Sequence, residues 1–111
     1  MKALSVRQPD ASLIAQGKKT IIVKPKYTYY RGPLLICSSA KPALKLSGSA
    51  LAKAYLVECR AMSQNDCVLS RCLYKPGQYV WILDQIKPIK PFLVKGKGGL
   101  FEVEHRIEVL E

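Results

Sequence analysis

The stretch RQPDASLIAQGKKT, residues 7–20, has the pattern of one short helix between two strands. Pro9 suits the first turn of a helix, where its missing N–H is not needed, and Asp10 beside it favours the positive end of the helix dipole. Apolar residues recur on one face of this helix: Ala11, Ile14 and Ala15. Gly17 is predicted to end the helix, because glycine readily adopts the left-handed conformation that follows a last helical turn.

The rest of the chain is predicted to form short strands. Six segments qualify by β-branched and aromatic content or by alternation of apolar and polar residues: Ala3–Arg7, Thr20–Val23, Leu34–Cys37, Tyr55–Met62, Tyr79–Leu83 and Phe101–Val109. The small-residue segment SGSALAKAY, residues 47–55, is predicted to be a short helix or a loop, and KPIKPF, residues 87–92, an extended edge. This pattern predicts an α+β, mainly β fold, a small β-barrel with one principal helix near the N-terminus.

The composition is typical of a single domain, residues 1–111, with one modest core, since 49% of the residues are apolar. Trp81 and Phe101 are predicted to lie in that core, and Glu58 and Asp84 on the surface of strands. No run approaches the roughly 18 apolar residues of a membrane span, and the charged N-terminus does not match a signal peptide. We therefore expect a cytoplasmic protein that does not associate with membranes.

Cysteine and histidine usage gives no metal-site pattern. Only two of the four cysteines, Cys67 and Cys72, lie close together, and the single histidine, His105, is far from both along the chain. In a cytoplasmic protein the thiols are expected to be reduced. We predict no metal and no cofactor.

The charge of the chain is strongly positive, with 18 lysines and arginines against 8 acidic residues for a formal net charge of +10. Residues 1–31 carry seven bases and one acid, and residues 87–99 add four lysines and no acid. If the fold joins these two stretches, they form one basic patch, for which a phosphate backbone is the usual partner. The plain alternative is a basic surface that only keeps the protein in solution.

Four stretches carry a resemblance to a known family. RQPDASLIAQGKKT followed by YRGPLLICSSAK, residues 30–41, resembles the ASCH domain, a branch of the PUA-like superfamily, and so do the later YVWILDQIKPIKPF and KGKGGLFEVE. The resemblance covers almost the whole chain. It implies a PUA-like β-barrel with the first helix packed across one side, and a function in binding RNA. Some members of the family resemble ribonucleases, and small bacterial relatives are amidohydrolases that act on acetylated cytidine.

The chain departs from the family pattern at two positions. The family usually has an aromatic residue after the QP dipeptide, where this chain has Asp10, and an acid on the following strand, where this chain has Ile22. Lys19 aligns with a lysine that is catalytic in the amidohydrolase relatives. An acid–base or nucleophilic site needs a hydroxyl or carboxylate partner, so these departures favour binding over catalysis.

The predicted site consists of basic and hydroxyl-bearing residues around one cleft, where lysines and arginines neutralise phosphate. The predicted nucleic-acid-binding residues are Arg7, Lys19, Thr20, Lys24, Lys26, Tyr30, Arg31, Ser38, Ser39, Lys41, Lys95 and Lys97. Tyr27, Tyr29 and Tyr30 lie between two bases, an arrangement that suits stacking on unpaired bases, although some of these rings are equally expected to pack beneath their loop. RNA is the expected ligand, and single-stranded DNA the second.

Two other functions remain open at this point. One is a hydrolase that uses the same cleft, either a ribonuclease or an amidohydrolase on a modified nucleoside, with Lys19, Tyr30 and Ser38 as the catalytic residues. For RNA cleavage, these three would position and polarise a phosphate while a neighbouring 2′-hydroxyl attacks. In a protein-interaction module the cleft would take a small molecule or a peptide, and the charge would be incidental. The sequence names no protein partner.

Overall fold

The computed structural model of the chain describes residues 1–40, 47–70 and 73–110. The predicted site residue Lys41 lies outside these ranges. The strands are β1 (Lys2–Val6), β2 (Ile21–Lys24), β3 (Gly32–Ser38), β4 (Ser49–Ala61), β5 (Tyr79–Leu93) and β6 (Leu100–Glu102). The helices are α1 (Asp10–Ala15) and α2 (Cys67–Ser70), the second preceded by a 3₁₀ turn over Gln64–Asp66.

The six strands form one sheet in the order β2-β5-β4-β3-β1-β6. All neighbours are antiparallel except β1 and β3, which run parallel. The sheet curls until β2 comes close to β1, where Lys24 Nζ donates a hydrogen bond to the Ser5 carbonyl at 3.0 Å. The result is a curled half-barrel, which confirms the predicted mainly β barrel with one principal helix.

Helix α1 starts differently from the sequence expectation. Pro9 occupies the position before the first helical residue and not the first turn itself. The Gln8 side chain caps the helix in its place: its Oε1 accepts the Ser12 N–H at 2.9 Å, and its Nε2 donates to Ser12 Oγ at 2.8 Å. Gly17 follows the helix with φ of 76°, as predicted.

The sheet buries apolar residues on both faces. On the inner face the helix residues Ala11 and Ile14 pack with Trp81 and a large cluster from β1, β3, β4 and β5. On the outer face Phe101 packs with a second cluster from β1, β3, β4 and β5. The predictions that Trp81 and Phe101 belong to the core are confirmed, and Glu58 and Asp84 are exposed as expected.

The prediction of a short helix or loop over residues 47–55 was wrong, because most of this segment is the first half of β4. Ala52 and Ala54 face the inner core beneath α1, while the partly exposed Lys53 and the exposed Tyr55 point the other way. Such alternation is the period of a strand. Alanine at the inward positions gave a weak apolar signal, and it leaves room for the helix to pack closely.

The strand prediction for residues 101–109 was also largely wrong. β6 ends at Glu102, and beyond it only an isolated bridge joins Ile89 to Val109. Val103 and Ile107 still pack on the outer cluster, so the apolar alternation reflects burial. Strand length depends on a partner, and β1 pairs with β6 over three residues only.

β4 and β5 are much longer than the short strands expected, at 13 and 15 residues. β5 continues through both prolines of KPIKPF, since β2 pairs only with its first part and the prolines lie beyond that pairing. Among the described residues, no helix has the length and apolar character needed to cross a membrane.

A candidate nucleic-acid interface at the end of the barrel

A cavity of about 610 Å³ lies where the parallel strands β1 and β3 end. We call it the rim cavity. Its lining residues are Ser5, Arg7, Ser38, Ser39, Ala40, Gly48, Val94, Gly96, Lys97 and Gly98. Because β1 and β3 are parallel, their carboxyl ends meet at one edge, and the glycine-rich loop after β5 closes the other side. The fold thus brings Arg7 and Lys97, one from each basic stretch, to the same cavity as the predicted residues Ser38 and Ser39.

The rim cavity is positively charged. Arg7 and Lys97 are both exposed, and within the described ranges neither forms an ion pair. No carboxylate or imidazole is among the described residues that line the cavity. Two exposed cations beside hydroxyl groups and glycine backbone make a surface that attracts an oxyanion.

Ser38 and Ser39 contribute to the cavity in different ways. Ser38 is buried, and its Oγ accepts the Ser49 N–H at 3.2 Å and lies 3.3 Å from the Ser49 carbonyl. This hydroxyl therefore ties β3 to β4 beside the register shift near Cys37. Ser39 is held through its backbone, whose N–H donates to the Val6 carbonyl at 2.9 Å, and its side chain is half-buried at the cavity.

A Cβ would be crowded at one glycine of the cavity wall and free at another. A Cβ at Gly96 would lie 2.7 Å from Ser5 Oγ, whereas a Cβ at Gly98 would meet nothing within 4 Å. We expect Gly96→Ala to displace the Ser5 side chain, to cost about 1 kcal/mol of stability, and to lower nucleic-acid affinity several-fold. Gly98→Ala is the matched control. Thermal melting and RNA titration of both variants test this, and equal behaviour of the two would contradict it.

Lys19 does not lie on the surface of the cleft. Its side chain is only 2% exposed, and its Nζ forms an ion pair with Asp10 Oδ2 at 3.0 Å. Asp10 keeps 37% of its side-chain surface exposed, so the pair joins the start of α1 to the segment that follows it. The aspartate that the sequence presents as a departure from the family is therefore the counter-ion of the lysine. Thr20, the next residue, is exposed.

Two further predicted cations are held by main-chain carbonyls. Lys24 links the end of β2 to β1 through the Ser5 carbonyl, and burial lowers the pKa of its ammonium group. The guanidinium of Arg31 donates to the carbonyls of Thr28, Tyr30 and Cys59 at 2.8, 2.9 and 3.5 Å. These hydrogen bonds of Arg31 thus connect the loop after β2 to β4.

The tyrosines of that loop form an exposed aromatic cluster. The Tyr27 ring contacts Tyr29 edge-on with centroids 4.8 Å apart, and Tyr79 in the same manner at 5.6 Å. Arg31 covers Tyr27 at 5.8 Å and donates to its hydroxyl at 3.2 Å. Tyr29 is 90% exposed, so its ring is open to a stacking partner. Lys26 is exposed beside the cluster, and its carbonyl accepts the Trp81 Nε1–H at 3.1 Å.

The three residues considered for catalysis do not converge. The Tyr30 hydroxyl donates to the Pro33 carbonyl at the start of β3, and burial raises the pKa of this phenol. Ser38 ends the same strand, five residues after Pro33, a separation of about 16 Å at the rise of a strand. Lys19 is enclosed with Asp10. One reacting group cannot touch all three side chains in this arrangement.

Lys95 lies apart from Lys97. It lines a smaller cavity of about 270 Å³ whose other residues include Glu102 and Glu104. Acidic neighbours make that cavity a poorer place for phosphate than the rim cavity.

Sequence reasoning missed several lining residues, namely Ser5, Ala40, Gly48 and Val94. Ser5 had a usable signal, because it lies two residues before Arg7, and residues at that spacing in an extended chain share a face. Gly48 and Val94 had none, since only the pairing of β4 with the end of β5 brings them to this edge.

The described residues include no group of three or more histidine, cysteine or acidic side chains arranged to hold a metal ion. Three of the cysteines, Cys37, Cys59 and Cys67, are free thiols. Burial raises the pKa of the Cys37 thiol to about 12, which keeps it protonated and unreactive at neutral pH.

Comparisons with known proteins place this geometry in a family. The ASCH domain model matches residues 4–92. The crystal structure of ASCH from Zymomonas mobilis superposes with a TM-score of 0.71 at 15% identity, covering 93% of this chain and 87% of that one. Two variants of that protein, one with tyrosine changed to phenylalanine and one with serine changed to alanine, superpose with TM-scores of 0.68 and 0.67, both at 16% identity. Both superpositions cover 93% of this chain; they cover 89% of the chain of the tyrosine variant and 87% of the chain of the serine variant. A search of curated proteins found no match. At these identities the likeness establishes the fold, which is PUA-like.

Proposed function

This chain belongs to the ASCH domain family, and from that premise we propose that it binds RNA, with the phosphate backbone held in the rim cavity. The observation that supports this most is the position of Arg7 and Lys97. They come from opposite ends of the chain, lie at one cavity, and have no ion-pair partner among the described residues. Exposed cations that are not neutralised by the protein itself are available to release counter-ions from a phosphate backbone.

Each group at the cavity would have its own task. The planar Arg7 guanidinium offers two parallel donors to one phosphate, and the Lys97 ammonium supplies a compact charge to the next. Ser39 would donate a hydrogen bond from its hydroxyl. Gly96 and Gly98 allow a phosphate oxygen to approach the backbone closely. These contacts position the strand but do not identify its bases.

Base contacts would come from the tyrosine cluster. Tyr29 presents its ring to solvent, and Lys26 and Arg31 flank the cluster with positive charge. An unpaired base stacks well on such a ring whatever its identity. The proposal therefore concerns single-stranded RNA with limited sequence preference, and single-stranded DNA as a weaker ligand that lacks the 2′-hydroxyl.

Replacing Tyr29 by alanine is expected to weaken RNA binding about tenfold, because one stacked base contributes about 1–3 kcal/mol. Stability should hardly change, since the side chain is 90% exposed. Tyr74→Ala removes another exposed tyrosine, one that is not part of the Tyr27–Tyr29–Tyr79 ring contacts, and is the control. Fluorescence anisotropy with a labelled oligonucleotide measures both, and equal losses in the two variants would remove Tyr29 from the proposal.

We do not extend the proposal to hydrolysis. General acid–base catalysis needs a group that exchanges protons near neutral pH within reach of the substrate, and the described lining of the rim cavity holds only arginine, lysine and serine as polar side chains. The separation of Tyr30 from Ser38 points the same way.

The experiment that tests the proposal is a titration of labelled single-stranded RNA, and of its DNA equivalent, at two salt concentrations. The same samples are then run on a denaturing gel. We expect salt-sensitive binding, tighter for RNA, with the RNA left intact. Shortened RNA without added metal would replace the proposal by a ribonuclease, and no binding at low salt would remove nucleic acid as the ligand.

A further inference from the structure

A second basic cavity lies on the outer face of the sheet, at the opposite end of β3 from the rim cavity. It has a volume of about 370 Å³. We call it the lysine groove, and its lining residues are Met1, Pro33, Lys53, Ala54, Tyr55, Gln85, Lys87 and Ile107. Pro33 lines the lysine groove and Ser38 lines the rim cavity. These two residues are five positions apart in β3, so the two cavities are separated by about 16 Å along the strand.

The groove places two like charges directly opposite each other. Lys53 of β4 and Lys87 of β5 are register partners, so their side chains leave the same face with Cβ atoms about 5 Å apart. Neither ammonium group forms an ion pair within the described part of the chain. Like charges in this position repel and destabilise the pair. An anion bound between them would turn the repulsion into attraction.

The strand is distorted beside this pair. Gln85 has φ of 52°, and the register of β4 and β5 shifts between Lys53 and Tyr55. A non-glycine residue rarely adopts a left-handed conformation, and such residues concentrate at binding sites. The bulge is held by Asp84, whose Oδ1 accepts the Gln85 N–H at 2.8 Å. Gln85 lines the groove, and the irregular pairing beside it sets Asp84 opposite Tyr55.

The acidic groups nearby are already engaged. Glu102 pairs with the Met1 ammonium at 3.2 Å and with Lys2 at 3.0 Å, and these cations hold the pKa of its carboxyl below the usual range. Asp84 does not line the groove. The groove therefore carries a net positive charge from Lys53 and Lys87.

We propose that the lysine groove is a phosphate-binding site, independent of the rim cavity. Lys53 and Lys87 would contact the phosphate oxygens from two sides, while the Gln85 amide and the Tyr55 hydroxyl donate hydrogen bonds. The shared chemistry is a phosphate group, supplied either by an RNA strand that also occupies the rim cavity or by free phosphate. The inference does not depend on the proposed function.

The test is a titration of the full chain with inorganic phosphate at constant ionic strength, followed by NMR of backbone amides. We expect saturating shifts at Lys53, Tyr55, Gln85 and Lys87, with affinity at least tenfold lower in the double variant Lys53→Gln, Lys87→Gln. That variant should melt no lower than the parent, because it removes a repulsion. Lys90→Gln, a lysine on the same strand that lines a different cavity, is the matched control. Shifts that never saturate, or that persist unchanged in the double variant, would overturn the inference.

A second titration with a short RNA identifies the source of the phosphate. In an Arg7→Gln, Lys97→Gln background, loss of the RNA-induced shifts at Gln85 would mean that the groove takes a phosphate of a strand anchored at the rim cavity. Persistence of those shifts would mean that the groove takes phosphate on its own. RNA binding at the rim cavity without phosphate binding at the groove would overturn this inference alone. The reverse result would overturn the proposed function alone.

Discussion

Replacing Arg7 and Lys97 together by glutamine is expected to weaken the binding of single-stranded RNA about a hundredfold at low salt. Each side chain is assigned one phosphate contact at the rim cavity, and a loss of about 1.4 kcal/mol for each corresponds to a factor of ten per contact. The salt dependence should change as well. The slope of log affinity against log salt should fall by about 0.7 for each lost contact on a single strand.

The control for this pair is a double variant with the same change in net charge elsewhere, Lys75→Gln with Lys90→Gln. Both lysines are exposed and neither lines the rim cavity. If affinity follows net charge only, the two double variants will lose equally. That result would support the view that the charge of +10 is a general surface property, and it would contradict a defined phosphate site.

Replacing Asp10 by alanine is expected to lower the free energy of unfolding by about 2 kcal/mol, less than a fully buried ion pair would cost, because Asp10 keeps 37% of its side-chain surface exposed. The reason is that the Lys19 side chain is 2% exposed and would lose the carboxylate with which its Nζ pairs. Lys19→Met should cost much less, since a flexible apolar side chain of similar length removes the buried charge together with its need for a partner.

Thermal or denaturant unfolding measures this asymmetry, and the melting temperature of Asp10→Ala should fall by about 10 °C. Glu58→Ala removes an exposed carboxylate and serves as the control. If Lys19→Met proved as destabilising as Asp10→Ala, the ion pair itself would be the stabilising element, contrary to this account. The double variant then reports the coupling between the two side chains.

Features that depend on local sequence were predictable. The helix face, the glycine at its end and the buried strands follow from short-range periodicity, and α1 (Asp10–Ala15) lies where residues 7–20 predicted it. The secondary-structure predictions failed where the conformation of a segment depends on its tertiary partners. Alanines hid the strand period in β4, and the alternating tail after Phe101 had no neighbouring strand to complete its hydrogen bonds.

The candidate site was likewise predictable only in part. The sequence left open whether the two distant basic stretches meet, and in the structure Arg7 and Lys97 line one cavity. It could not predict that Lys19 is buried against Asp10, because nothing in the residue types tells whether a lysine near a helix end faces solvent or a carboxylate. Nor could it separate Lys95 from Lys97, which lie two residues apart but at different cavities.

The two departures from the family pattern acquire physical meaning in the structure. Ile22, where the family usually has an acid, is buried in the inner core with Trp81, and a charge there would lack water. Asp10, at the start of helix α1, supplies the carboxylate that pairs with Lys19. The lysine thus keeps a counter-ion, and the proposed phosphate contacts are assigned to the cations of the rim cavity instead.

The most direct test of the central claim is to map where RNA binds. Backbone amide spectra of the protein, recorded while a short single-stranded RNA is added at low salt, should show saturating shifts concentrated at Ser5, Arg7, Ser39, Gly96, Lys97 and Gly98. Smaller shifts are expected at Tyr29. Saturating shifts confined to other parts of the surface, or no shifts at all, would contradict an RNA site at the rim cavity.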